Sequence, residues 1–157
     1  MVCVDELILH VGAIDVNMTG KSDRYSDGGI MYITIGEKAF PGLEWYDMVL
    51  CNLKRWVPDL ISFGFNHTDS CVLTFMDGPC EIKLNRQGDG QIQVCCYRDH
   101  KLEIPNTVID LSVFLKSVLR CIRKYERFLH ENNLSPQFQD EQSMLRMIVH
   151  GDVSVIS

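Results

Sequence analysis

The chain has 157 residues, of which 46% are apolar and 23% are charged, and its formal net charge at pH 7 is −6. This length and composition are typical of a single soluble domain with its own core, and they exclude a chain that is disordered over most of its length. The negative charge also disfavours nucleic acid as a direct ligand, because a phosphate backbone would be repelled on average.

The amino-terminal stretch and the cysteines indicate the compartment. No apolar run approaches the roughly 20 residues needed to cross a bilayer, and residues 1–15 carry acids where a secretory leader would carry basic residues. The seven cysteines are an odd number spread through regular segments, which argues against a secreted disulfide framework. We therefore expect a cytoplasmic protein with reduced thiols, no membrane association and one domain over residues 1–157.

The amino-terminal third predicts strands followed by a helix. Residues 2–16 favour an opening strand or a strand pair turned at Gly12, and residues 17–29 are rich in Gly, Ser, Asp and Asn, as in an exposed loop. β-branched and aromatic residues then predict a strand in "IMYITI", which ends at "FPG". From about residue 43 to 58, apolar residues recur every three or four positions, which predicts an amphipathic helix that ends near Pro58.

The middle of the chain predicts an antiparallel meander. Three short strands, "CVLTFM", "CEIKL" and "QIQVCCY", follow one another, and the second and third alternate between apolar and polar residues. The turn residues of "DGP" and "NRQGDG" connect them as hairpins. Cys80 is then the first inward residue of a strand, and Asp77, Gly78 and Pro79 form the corner before it.

The carboxyl-terminal third predicts two helices. A continuous apolar stripe from about residue 107 to 132 predicts a long helix over the apolar face of the meander, and Ser135 followed by Pro136 favours the start of a shorter one. "VSVIS" is typical of an edge strand or a tail. The fold class expected is α+β, with an antiparallel sheet of about four to six strands packed against the long helix and the second amphipathic helix.

Catalytic and metal-binding patterns are weak. The chain has no C-x-x-C and no pair of histidines at helical ligand spacing, so we expect no metal and no other cofactor. A cysteine-dependent or metal-dependent enzyme would have to use Cys80, Cys95, His67 and His100, and the sequence shows no nucleophile signature around these residues. Such an enzyme stays the alternative, together with a structural subunit of a homo-oligomer, and we expect no catalytic residues.

Two stretches carry a resemblance to a known class. In "YITIGEKAFPGLEWYDMVLCNLKRWV" a strand ends in "IGEKAFPG" and a helix opens at "WYD" and closes near "RW", and in "LTFMDGPCEIKL" a strand runs into "FMDGP". In this pattern, over roughly residues 30 to 130, the chain resembles bacterial immunity proteins of polymorphic toxin and contact-dependent growth inhibition systems. The resemblance implies a cytoplasmic α+β protein that neutralises a cognate toxin domain, commonly a nuclease, by forming a stoichiometric complex.

The resemblance carries over no contacting residue by position, so the residues that would contact a partner are chosen by charge, residue type and expected exposure. A toxin with a basic active-site cleft favours acidic and aromatic anchors on the inhibitor, because complementary charge speeds and orients association. The residues expected to be exposed and to contact the partner are Asp23, Tyr25, Asp27, Glu44, Asp47, Asp69 and Asp99.

Overall fold

The computed structural model describes residues 4–18 and 25–151, without the side chains of residues 16–18 and 25–27. Its strands are β1 (Leu7–Met18), β2 (Tyr25–Ile35), β3 (Lys38–Phe40), β4 (Tyr46–Asp47), β5 (Ser70–Thr74), β6 (Cys80–Arg86), β7 (Ile92–Arg98) and β8 (Lys101–Ile109). Its helices are α1 (Val49–Gly64), α2 (Leu111–Glu131) and α3 (Gln139–Val149). The predicted α+β class is confirmed.

The strands form two antiparallel sheets of four strands each, where the sequence predicted one sheet. In the first sheet, β1 pairs with one edge of β2, and β3 and β4 pair one after the other with its second edge. The second sheet is the predicted meander of β5, β6 and β7, extended by β8. The apolar residues of both sheets and of all three helices belong to one continuous core.

The opening strand differs from both predicted forms. β1 is one strand that pairs with β2 from Leu7 to Met18, and the pairing shifts register between Gly12 and Asp15. Gly12 therefore precedes a bulge within the strand and does not turn a strand pair. Part of the predicted loop at 17–29 and the whole of "VSVIS" lie outside the described residues, whereas Tyr25 already belongs to β2.

Helix α1 starts later than predicted. The backbone N–H of Met31 donates to the carbonyl of Trp45 (2.8 Å), and Tyr46 pairs with Ile30, so these residues extend the first sheet before the helix begins. Their helical spacing is overridden by this pairing. The helix then continues past Pro58 to Gly64, because the proline is on the exposed side, where water can bind the carbonyl that lacks its partner.

The beginnings of α2 and α3 also differ from the prediction. Residues 107–109 extend β8 along β7, and α2 starts only after Asp110, whose side chain accepts a hydrogen bond from the Ser112 N–H (2.9 Å). This cap satisfies one of the free N–H groups of the first turn. In α3 the N-cap is Phe138, whose ring is buried, and Glu126 Oε1 accepts from the Gln137 and Phe138 N–H groups (2.7 Å each). The helix therefore starts after Phe138 and not at Ser135 and Pro136.

Helix α2 covers the edge of β1 that pairs with no strand among the described residues. The buried Ser117 hydroxyl accepts a hydrogen bond from the Leu9 N–H (2.9 Å), and the Cys121 thiol donates to the Leu9 carbonyl (3.3 Å). Lys124 Nζ donates to the Val11 carbonyl (2.8 Å). An unpaired strand edge is a site for unwanted pairing with another chain. The long helix therefore covers a sheet edge as well as contributing its apolar stripe to the core.

Candidate functional site

A buried carboxylate, that of Asp47, joins two segments of the chain that border an exposed surface. Asp47 is only 1% exposed. Its Oδ1 accepts from the Met48 N–H (2.7 Å) and from Asn52 Nδ2 (3.0 Å), and its Oδ2 accepts from Trp45 Nε1 (3.0 Å). The backbone N–H of Asp77 lies 3.3 Å from Oδ1 and 3.2 Å from Oδ2. Asp47 thus ties the start of α1 to the loop between β5 and β6.

The same loop is held by two further side chains of α1. Asn52 Oδ1 accepts from the Met76 N–H (3.2 Å), and Trp56 Nε1 donates to the Thr74 carbonyl (2.7 Å). Asn52 and Trp56 are both buried, so these bonds are shielded from water. The loop therefore has a defined position on α1, although it is exposed at residues 76–79.

The predicted corner at 77–79 is present, and its residues form the turn that precedes β6. Gly78 has a φ of +97°, a conformation that side chains other than glycine rarely adopt. The Phe75 N–H donates to the Cys80 carbonyl across the corner (3.1 Å), and Cys80 is buried at the start of β6. The prediction that Cys80 is the first inward residue of a strand is confirmed.

Four large apolar side chains are exposed around this corner and around β4. They are Leu43 (73% exposed), Tyr46 (58%), Met48 (41%) and Met76 (43%), and we call them the apolar patch. Tyr46 and Met48 point outward because Asp47 between them points inward. Met48 and Met76 are close in space because the N–H groups of Met48 and Asp77 share one carboxylate oxygen. Exposed aromatic and methionine side chains are typical of the centres of protein interfaces.

The patch has charged neighbours of both signs. Glu44 and Asp77 are exposed beside it, and Arg55 donates a hydrogen bond to Met76 Sδ (3.0 Å). Tyr46 lies across Gly28, where a Cβ atom would be only 2.0 Å from the tyrosine hydroxyl oxygen. Because Gly28 has no side chain, the outer end of the tyrosine ring can occupy this space over the first sheet.

A cavity of about 310 Å³ next to the patch brings together two residues of the enzyme alternative, Cys80 and His100. Burial raises the pKa of the Cys80 thiol, which is the opposite of the shift that activates a cysteine nucleophile. The other two candidates lie apart from this cavity: Cys95 is buried in β7, and His67 is exposed after α1, with its ring near Phe65.

The reactivity of the buried cysteine thiols tests whether burial suppresses their ionisation. Burial raises the pKa of Cys71, Cys96 and Cys121 to about 12 from an ordinary value of 9.0. Because the thiolate is the reactive form, we expect these thiols to react with a disulfide reagent at pH 8 about a thousandfold more slowly than in the unfolded chain. Absorbance of the released thiolate, followed with and without guanidinium, measures this ratio. Fast labelling of Cys80 in the folded protein would support the enzyme alternative.

Of the residues predicted to contact a partner, those with described side chains do not form one surface. Asp23 lies outside the described residues, and Tyr25 and Asp27 are described only by their backbone in β2. Glu44, Asp69 and Asp99 are exposed, as expected. The expected exposure of Asp47 is wrong, because its carboxylate is enclosed by the four groups that donate to it.

Asp69 and Asp99 are at opposite ends of the meander. The carbonyl of Asp69 accepts from the Arg86 N–H (2.9 Å) at the end of β6, whereas the Asp99 N–H donates to the Pro79 carbonyl (2.7 Å) just before β6 begins. The length of β6 separates them, which is about 20 Å at the usual rise of a strand. Glu44 and Asp47 adjoin the apolar patch, and Asp99 is bonded through its backbone to Pro79 of the neighbouring corner, whereas Asp69 lies at the far end of the meander.

Over residues 4–18 and 25–151, no three His, Cys, Asp or Glu side chains are placed to hold a metal ion. No helix in this part of the chain is both long and apolar enough to span a bilayer. Comparison with known proteins gives no match to a family model, a curated protein or a solved structure.

Proposed function

We propose that the protein is a cytoplasmic immunity protein that binds a cognate toxin domain through the apolar patch and blocks it in a stoichiometric complex. A toxin with nuclease activity is the class that the sequence resemblance implies. The inhibitor in such a complex needs no chemistry of its own, because it works by covering the toxin's active site or substrate groove. What it needs is an exposed, rigid surface that loses little entropy on binding.

The observation that carries the proposal is the meeting of the two stretches that bear the resemblance. "WYD" contains Trp45, Tyr46 and Asp47, and "FMDGP" contains Met76 and Asp77. These stretches are separated by some thirty residues in sequence, and the Asp47 carboxylate joins them directly. Both also contribute exposed side chains to the patch. The shared pattern thus coincides with one physical unit that is suited to binding a protein.

The charge of the chain supports a basic partner. A net charge of −6 attracts a positively charged domain at long range, and the exposed Glu44 and Asp77 can orient it at the patch. Nucleases present basic clefts to their substrates. Association would accordingly be fast at low salt and slower as ionic strength rises.

Co-expression tests the proposal. When the toxin domain encoded directly upstream is induced in a bacterial host, we expect growth to be restored by this protein and not by an empty vector. The two proteins are also expected to elute together as a complex of fixed stoichiometry in size-exclusion chromatography with mass measurement. Equal lethality of the toxin with and without the protein, when both are expressed in soluble form, would contradict the proposed function.

A further inference from the structure

The seam between β1 and α2 forms a groove that the proposed function does not use. Two cavities lie along it, one of about 210 Å³ next to Ile8 and His10 and one of about 250 Å³ next to Ile14 and Phe128. Both are lined by Lys124, so they adjoin at this residue and together follow the seam. From residue 8 to residue 14 the strand covers about 20 Å at the usual rise per residue. This length accommodates about six residues of an extended peptide.

The groove is positively charged in a protein that is negatively charged overall. Arg120 and Lys124 line its first part, and Lys124, Arg127 and the acid Glu131 line its second part. Within the described residues, no ion pair involves Arg120, Lys124 or Arg127. Lys124 is held in place by its bond to the Val11 carbonyl (2.8 Å). Three cations line the two cavities, and Glu131 is the one acid among the lining residues, which favours an anionic ligand.

The other residues that line the groove favour an acidic peptide over a nucleic acid as the anionic ligand. Ile8, Ile14 and Phe128 give the groove an apolar floor suited to small aliphatic side chains. His10 stacks on Tyr32 with ring centroids 4.8 Å apart. One face of each ring is therefore already covered by the other ring and cannot stack on a nucleic-acid base. The net charge of −6 repels a polyphosphate chain more strongly than a short peptide with a few carboxylates.

We propose that this groove binds an extended acidic peptide segment of a partner protein. Carboxylates of the segment would pair with Arg120, Lys124 and Arg127, and alternate aliphatic side chains would rest on the apolar floor. The groove is separate from the apolar patch: β1 lies on one edge of β2, and β4, which carries Tyr46, lies on the other. The inference therefore does not depend on the proposed immunity function.

A charge-matched pair of double variants tests the groove. The probe is a fluorescently labelled eight-residue peptide of alternating Glu and Val, and its binding is followed by fluorescence anisotropy. We expect R120Q/R127Q to weaken binding at least about tenfold, since it removes two direct charge pairs. We expect K116Q/R123Q, which removes the same charge from exposed α2 residues outside the groove, to change binding less than about twofold. A peptide with Gln in place of Glu should bind neither variant nor the original protein.

Three results would overturn the inference. Equal weakening by the two double variants would mean that the peptide responds only to overall charge. Tighter binding of a single-stranded oligonucleotide of equal charge, weakened by R120Q/R127Q, would assign the groove to nucleic acid instead. Failure of the Glu and Val peptide to bind the original protein at concentrations up to about 1 mM, the weak end of specific affinities, would also overturn it.

Discussion

Replacing Asp47 with alanine is expected to lower the free energy of unfolding by about 3 to 5 kcal/mol, because several N–H donors lose their acceptor together and each buried donor left unsatisfied costs about 1 to 3 kcal/mol. The substitution deletes the acceptor for Met48 N–H, Asn52 Nδ2, Trp45 Nε1 and Asp77 N–H. Asn52 is itself fully buried, so water does not readily replace the lost oxygen. Urea unfolding followed by circular dichroism measures the change as a lower transition midpoint.

Asp77→Ala is the matched control for this prediction. Asp77 is exposed and reaches Asp47 only through its backbone N–H, which alanine keeps. We expect the control to change the free energy of unfolding by less than about 0.5 kcal/mol, as for ordinary surface substitutions. A loss of less than about 1 kcal/mol in Asp47→Ala would contradict the structural role assigned to the carboxylate, because it would equal the cost of one ordinary hydrogen bond.

The elements that could be predicted from the sequence are those in which local pattern and tertiary packing agree. The apolar stripe of α2 faces the core over most of its length, so its spacing was sufficient. In the meander, Cys80, Ile82 and Leu84 point inward as their alternation indicates. Such patterns follow directly from the two periodicities of helix and strand, because neither depends on a distant partner.

The elements that the sequence did not predict are those whose secondary structure is set by pairing with residues far away in the chain. Trp45 has helical spacing with the residues of α1, yet its carbonyl binds Met31, and this contact extends the sheet. Residues 107–109 likewise fit the stripe of α2 but pair with β7. Short pairing segments such as β3 and β4, with three and two residues, carry no periodic signal of their own.

The candidate site could be predicted only in part, and for the same reason. An aspartate is mostly exposed in proteins, so Asp47 was placed on the surface, whereas its burial depends on an N–H group 30 residues away. Conversely, Tyr46 and Met48 resemble core residues in sequence, and they are exposed because the strand alternation at β4 turns Asp47 inward. The acid that organises the surface was thus assigned to the wrong environment, and the sequence pattern did not indicate that these apolar residues are exposed together.

Tyr46 is expected to be the strongest single contributor to partner binding. We expect Tyr46→Ala to weaken binding of the upstream-encoded toxin domain by about 30-fold to 1,000-fold, equivalent to about 2 to 4 kcal/mol, as for aromatic residues at interface centres. The ring is 58% exposed in the free protein, so most of its apolar surface is still available for burial by a partner. Calorimetric titration with a catalytically inactive toxin domain measures the affinity.

Two further variants separate a binding effect from a folding effect. Gly28→Ala changes none of the four patch residues. It puts a methyl group where the Tyr46 hydroxyl now lies, 2.0 Å from the new Cβ. We expect it to displace the ring and weaken binding, with little loss of stability because the displaced atom ends a flexible side chain.

Val72→Ser removes a comparably exposed apolar residue of β5, outside the patch, and should leave the affinity unchanged. If Val72→Ser weakens binding as much as Tyr46→Ala, the partner does not bind at the apolar patch. If the toxin binds all three variants equally well, the immunity function can still hold, but its binding surface must lie elsewhere on the protein.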